Sequence, residues 1–151
     1  MKAPHVLLKL DISKAFDSVS WSFLLEVLRS LGFGRRWCNI LCYLLSTATT
    51  QVLLNGDPSE VIHHQRGLRQ GDLLSPMLFI MVMDMLNSLI GHASQEGLLQ
   101  PLPVRGLQHR VSIYADDVIL FIRPSVLELD LIKHLLDFFG HVSGLRTNML
   151  K

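Results

Sequence analysis

Cysteine is scarce in this sequence. Cys38 and Cys42 are the two present, four residues apart in a helical pattern. That count and spacing exclude a disulfide framework and lead us to expect a reducing, intracellular setting, cytoplasm or nucleus. Charge is thin as well: charged types make up 18% of the residues, and 14 basic against 13 acidic side chains leave a formal net charge of +1. No bulk basic surface announces a polyanion partner, so any such site has to be local. Long apolar runs are missing. The longest is 77–83, and Asp84, Asn87 and Ser88 break its extension, short of the roughly 20 residues a membrane span needs. A buried core helix is expected there, and no membrane partner. The opening Met1-Lys2-Ala3-Pro4-His5 is too short to read as a leader. Repeats and low-complexity stretches are absent too.

Hydrophobic types are plentiful, at 49% of 151 residues, which excludes a disordered or acidic solvating chain and predicts one domain over 1–151. Alternation over 6–11 predicts a buried strand with Val6, Leu8 and Leu10 on one face and Leu7, Lys9 and Asp11 on the other. Trp21, Leu24, Leu25 and Leu28 then recur at helical spacing, with Ser18 and Ser20 as caps and Gly32 as the stop. A second helix is expected with Trp37, Ile40, Leu41 and Leu44 on its buried stripe, and with Cys38 and Cys42 as core packing. Asn55-Gly56 between 49–54 and 58–62 is the strongest hairpin signal. Ser75-Pro76 opens a helix expected to run to about Ile90, before Gly91. Residues 91–110 read as a long surface connection, 111–114 and 118–122 as a second hairpin, and 126–142 as an amphipathic helix. The last eight residues start at Gly144 and lead toward another strand. Strand, two helices, hairpin, helix, hairpin, helix predicts an α+β fold: an antiparallel sheet with helices on one face.

The second hairpin has an odd turn. Ala115-Asp116-Asp117 offers no glycine where a two-residue turn favours one, and sets two adjacent carboxylates between apolar strands. As a solvated turn this is unremarkable chemistry, because Asp tolerates turn conformations. Asp11 adds a third carboxylate, 105 residues before Asp116, and if the first strand lies beside the hairpin the three meet at one edge of the sheet. Hard divalent ions suit such a cluster. Mg²⁺ takes one or two protein carboxylates and leaves its other positions to water and substrate phosphate. The histidines make no rival metal site: none of the seven forms His-Glu-x-x-His, and His134, Asp137 and His141 at i, i+3 and i+7 read as a solvated helix face.

Three further segments fall into one order. Leu8-Lys9-Leu10-Asp11-Ile12-Ser13-Lys14-Ala15-Phe16-Asp17-Ser18-Val19, then Gly67-Leu68-Arg69-Gln70-Gly71-Asp72-Leu73-Leu74-Ser75-Pro76, then Tyr114-Ala115-Asp116-Asp117 resemble the consecutive palm motifs of reverse transcriptases, most of all the non-LTR (LINE-type) retrotransposon enzymes. A weaker fourth match is Ser143-Gly144-Leu145-Arg146-Thr147-Asn148-Met149-Leu150-Lys151. The resemblance implies an antiparallel-sheet, ferredoxin/RRM-like polymerase palm and RNA-directed DNA polymerase chemistry, with RNA template, DNA primer and dNTPs as partners.

Roles follow from the resemblance residue by residue. Asp11 and Asp116 are implied as ligands of two Mg²⁺ ions, with Mn²⁺ as a substitute, Asp117 as support, and the carbonyl of Ile12 as an extra ligand. Two ions about 3.5 to 4 Å apart stabilise both the attacking and leaving oxygens of an in-line displacement. Backbone amides near Lys14 and Ala15 are implied at the triphosphate, Phe16 beneath the deoxyribose where it opposes a 2′-hydroxyl, and Gln70 and Gly71 beside the new base pair. Lys151 matches a lysine near the leaving phosphate. Taken singly, Phe16 could be core, Lys14 a solvated charge, Lys151 a terminal residue and Gln70-Gly71 a turn. Arg66 and Arg69 are candidates for phosphate contact or for plain loop charges. Leu73 departs from the proline usual in the family and Thr147 from an apolar strand residue.

The first motif begins within a few residues of Met1 and the chain ends near Lys151, so fingers and thumb are expected to be missing, with little independent activity and with docking onto such parts or an intact polymerase as a further expectation. Two other readings stay open: a catalytically silent palm that only binds nucleic acid or a partner polymerase, and a palm-like nucleotide cyclase. The second lacks the glycine-rich hairpin such cyclases carry.

Overall fold

A computed structural model describes residues 6–102, 110–114 and 117–148. The elements in chain order are β1 (Val6–Ile12), α1 (Ala15–Ser18), α2 (Trp21–Ser30), α3 (Arg35–Ser46), β2 (Thr49–Thr50), β3 (Leu53–Leu54), β4 (Asp57–Pro58), β5 (Ile62–His63), α4 (Ser75–Gln95), β6 (Val111–Tyr114), β7 (Asp117–Ile122), α5 (Val126–Ser143) and β8 (Thr147–Asn148). Four strands form one sheet in the order β6-β7-β1-β8, and every neighbouring pair is antiparallel. The predicted α+β arrangement is what folds.

Two-residue alternation decides the faces. Leu10 and Ile12 of β1, Val118, Leu120 and Ile122 of β7 and Val111 of β6 point inward. They join one cluster with Leu78, Phe79 and Val82 of α4 and Ile132, Leu136 and Phe139 of α5. The opposite face stays open, with Leu7, Lys9, Ser112 and Tyr114 all exposed. Register couples the two, because a one-residue slip of β1 would swap the faces.

The helix ends follow their caps. Ser20 Oγ accepts from the Phe23 amide at 3.4 Å to open α2. Asn55 and Gly56 both take positive φ, 52° and 93°, which a type I′ turn requires, and β3 and β4 pair across them.

Four expectations are corrected. Gly91 does not end α4, which runs on to Gln95. Ile90 and Ala93 are both buried, and that burial outweighs the roughly 1 kcal/mol cost of an interior glycine; the helix stops instead at Gly97, φ 74°. The inner stripe of α3 is not Trp37, Ile40, Leu41 and Leu44: Cys38 and Leu41 are buried, Trp37 is half-buried, and Ile40 and Leu44 are exposed. Cys42 is exposed rather than core. The amphipathic pattern of α3 had two apolar sides, and α2 covers only one of them. At 21 residues, α4 is the one described helix long and apolar enough to cross a membrane by those two measures; its Leu78, Phe79, Val82, Met83, Leu86 and Ile90 are buried in this core. In the expected 91–110 connection, 91–95 is helical and Leu99 is buried, while 103–109 lie outside the described residues.

Candidate active site

Asp11 sits in the last turn of the pleat in β1, and Asp117 opens β7. Their Cα positions are register partners, which in an antiparallel pair means a separation of about 4.5 to 5.5 Å. Tyr114 is the partner of Asp117 on the other side and Asn148 the partner of Asp11. One row of the sheet therefore reads Tyr114, Asp117, Asp11, Asn148. Both aspartates are partly exposed on the open face. The first strand does lie beside the hairpin, as the three-carboxylate reading needs. Asp116 and Lys151 lie outside the described residues.

Lys9 stands two residues before Asp11 and shares its face. Its Nζ reaches Asp117 Oδ2 at 3.0 Å. This is the cation that a pair of adjacent carboxylates calls for, and strand alternation already put Lys9 beside Asp11 in the sequence.

After Ile12 the chain turns sharply. The Ser13 amide donates to the Arg146 carbonyl at 3.1 Å, Lys14 adopts a left-handed φ of 50°, and α1 brings Phe16 inward. The Phe16 ring stacks on Phe79, centroids 4.6 Å apart and planes 20° apart. Ala15 is buried, whereas Ser13 and Lys14 are exposed. The loop carrying Gln70 and Gly71 is tied to this same segment: the Leu68 amide donates to the Phe16 carbonyl at 2.7 Å and the Gly67 amide to the Val19 carbonyl at 2.8 Å. Trp21 Nε1 donates to the Gly67 carbonyl at 2.7 Å. A Cβ on Gly67 would come within 2.7 Å of the Asp17 carbonyl oxygen, so only glycine allows so close an approach. Gln70 and Gly71 themselves are exposed, as is Leu73 in the position where the motif usually has proline.

The clasp between Trp21, Gly67 and the segment after Asp11 was not foreseen. Trp21 looked like one more residue of an apolar stripe, and no local pattern signals a donor meeting a carbonyl 46 residues away.

The carboxylates of Asp11 and Asp117 are hard oxygen donors, opposed across two central strands and open to solvent, a donor set that fits a divalent cation such as Mg²⁺. Among the described residues, no three His, Cys, Asp or Glu side chains gather closely enough to hold an ion; His134, Asp137 and His141 on α5 are all exposed.

A family model described as reverse transcriptase (RNA-dependent DNA polymerase) matches residues 1–151. The chain belongs to this family. It is 32% identical over 145 residues to the Retrovirus-related Pol polyprotein from type-2 retrotransposable element R2DM of Drosophila melanogaster, covering 92% of this chain and 12% of that protein. It is 32% identical over 149 residues to the Pol polyprotein from type-1 retrotransposable element R2 of Popillia japonica, covering 96% of this chain and 20% of that one. The chain thus spans between about an eighth and a fifth of these relatives. Both fit the non-LTR resemblance of the motifs. Among solved structures it is similar to telomerase from Candida albicans in complex with the TWJ fragment of telomeric RNA, with TM-score 0.69 at 14% identity, covering 97% of this chain and 27% of that one. Apo telomerase from Candida tropicalis, truncated from its C-terminal domain, gives TM-score 0.69 at 15% identity, with 97% and 30% covered. The fold is the α+β polymerase palm. Reverse transcriptases generally use divalent metals, and this palm offers its carboxylates at the strand ends.

Proposed function

We propose that this domain is the catalytic palm of an RNA-directed DNA polymerase from a non-LTR retrotransposon, with its nucleotidyl-transfer centre at the ends of β1 and β7. The observation that carries the reading is the register pairing of Asp11 with Asp117, the residue that follows Asp116 in the chain. Asp11, Asp116 and the Ile12 carbonyl would hold two Mg²⁺ ions, with Asp117 supporting them. Bound there, such ions stabilise negative charge on the attacking and leaving oxygens of phosphoryl transfer.

The chain's own residues do the positioning. With the Ser13 amide taken by the Arg146 carbonyl and Lys14 in a left-handed turn, the backbone amides near Lys14 and Ala15 would meet a triphosphate. Phe16, held by Phe79 and by the Leu68 bond, stands where a sugar ring would rest and favours dNTP over rNTP. Gln70 and Gly71, tethered through Leu68 to Phe16, flank the base pair, and Lys151 serves the leaving phosphate. Template RNA and primer DNA would run over the open sheet face.

The deciding measurement is Mn²⁺ binding by electron paramagnetic resonance, run beside primer extension on an RNA template. Asp11→Asn and Asp116→Asn should each abolish the bound Mn²⁺ signal and any extension, while the circular dichroism spectrum stays that of the parent. Unchanged Mn²⁺ binding in both variants would end the proposal.

A second reading rests on a different observation. Tyr43, Leu53 and Leu54 are at least 67% exposed, and the strands of the 49–63 hairpin bury no side chain of their own. Such apolar surface favours use of the domain in association with other polymerase parts, with nucleic-acid binding that survives Asp116→Asn.

A further inference from the structure

The four-stranded sheet is almost free of charge. Among the residues of β1, β6, β7 and β8, Lys9 is the only basic one, and Asp11 and Asp117 are the only acidic ones. They lie together toward the end of the sheet where β1 stops and β7 starts. Asp11 and Asp117 are register partners, and Lys9, whose own partner is Ile119, stands one diagonal step from Asp117. Its ammonium closes that step, Nζ to Oδ2 at 3.0 Å.

The fold does not account for this lysine. Its side chain is 60% exposed and that of Asp117 42%, and solvent screens so open an ion pair until it adds little to stability. Packing does not ask for it either, because Lys9 stands on the open face and β1 would bury Leu10 and Ile12 with any polar residue in its place. A position that tolerates many polar side chains holds a cation against one carboxylate oxygen.

That oxygen is a hard donor at the centre proposed above. Three carboxylates, Asp11, Asp116 and Asp117, set against one ammonium leave two negative charges, which one divalent ion cancels. A second ion has to share Asp117 with the ammonium and enter surroundings that are already neutral. The negative charge to receive it must come from outside the chain, and a nucleoside triphosphate carries it.

We propose that Lys9 is a positioning residue that stands in for one of the two cations: it seats Asp117 and holds the centre at one divalent ion until a triphosphate arrives. The inference rests on the two-cation reading of the carboxylates; it adds an order of filling, set by one side chain of the open sheet face.

Mn²⁺ titration of the full chain without nucleotide, read by electron paramagnetic resonance, tests it. The parent should bind one Mn²⁺ per chain, with a second equivalent much weaker. Lys9→Gln should tighten the second equivalent by about tenfold, the order expected when a unit charge is withdrawn from beside a divalent ion. The first equivalent, which Asp11 and Asp116 can hold, should change by a smaller factor. Lys9→Arg keeps the charge and should bind as the parent does. A second equivalent equally weak in Lys9→Gln and the parent overturns the proposal, as does a parent that takes two ions equally well. Lys9→Arg behaving like Lys9→Gln also overturns it, because the charge is then not the cause. In each of those cases the first equivalent persists and is still lost in Asp11→Asn, so the carboxylate centre stands. Mn²⁺ binding missing from the parent and all variants alike is instead a failure of that centre, and overturns this inference with it.

Discussion

Lys9 crosses diagonally to Asp117, Nζ to Oδ2 at 3.0 Å, one step along the ladder from the Asp11–Asp117 pair. Diagonal partners of this sort are within reach of a long side chain on one sheet face. The lysine thus offsets carboxylate repulsion at the strand ends and competes with any cation for the same oxygen.

Lys9→Gln separates those two effects. The lysine side chain is 60% exposed and the aspartate 42%, so solvent screens the pair and its removal should change unfolding free energy by no more than about 0.5 kcal/mol. Mn²⁺ binding should instead tighten by roughly two- to fivefold, since a competing positive charge has gone. Paramagnetic titration and urea melts measure the two quantities. Weaker Mn²⁺ binding would remove Asp117 from the metal's neighbourhood.

Phe16→Val addresses sugar selection. The stacked contact with Phe79 contributes on the order of 0.5 to 1.5 kcal/mol beyond area burial, so stability should fall modestly. In primer extension the preference for dNTP over rNTP should drop by about tenfold or more, because the bulk that meets a 2′-hydroxyl is withdrawn. A preference unchanged within twofold would make Phe16 a core residue and nothing else.

How much of this was legible in the sequence differs by physical cause. Strand alternation in 6–11 gave the right faces because one side of β1 is buried against α4 and α5, and Asn55-Gly56 gave its turn because few other residues accept two positive φ angles. The motif order located Asp11 and Asp117 before any geometry paired them. Short α1 was missed, since four residues hold no helical period, and its position depends on the left-handed Lys14. The buried stripe of α3 was misread because both of its faces are apolar and only tertiary contact selects one. The Trp21–Gly67 bond and the approach of Gly144 to Ser18 join residues far apart in the chain, and neither has a local pattern to announce it.

Glycine substitutions should rank by what surrounds them. Gly32 and Gly144 both hold positive φ, 88° and 82°. A Cβ on Gly32 meets nothing within 4 Å, while one on Gly144 would stand 2.2 Å from the Ser18 carbonyl oxygen. Gly32→Ala should cost about 1 kcal/mol, the strain of an L residue in that region. Gly144→Ala should cost several times more, because the Ser20–Ser143 bond has to open as well. Chemical denaturation of the two variants checks the order, and equal losses would contradict the close approach.

The end of the sheet remote from the aspartates depends on one buried acid. Glu128 Oε1 pairs with Arg110 Nη1 at 3.2 Å, with both side chains under 10% exposed, and Glu128 Oε2 accepts the Arg123 amide at 2.8 Å. Arg110 also donates from Nε to Ser94 Oγ at 3.1 Å and through its other terminal nitrogen to the Gln100 carbonyl. One carboxylate thereby joins the residue before β6, the residue after β7 and the first turn of α5. Glu128→Ala leaves a buried guanidinium uncompensated, which costs about 3 to 5 kcal/mol, a large share of the roughly 5 to 15 kcal/mol that holds a domain together. Glu128→Gln keeps the shape and the acceptor for the Arg123 amide but not the charge, so it should lose less. Because this acid fixes where the β6–β7 hairpin begins and ends, hydrogen exchange at Val118 and Leu120 should accelerate in Glu128→Ala before exchange at Leu24 and Leu28 in α2 does; simultaneous acceleration would mean that the clasp stabilises the whole core rather than the hairpin that carries Asp117.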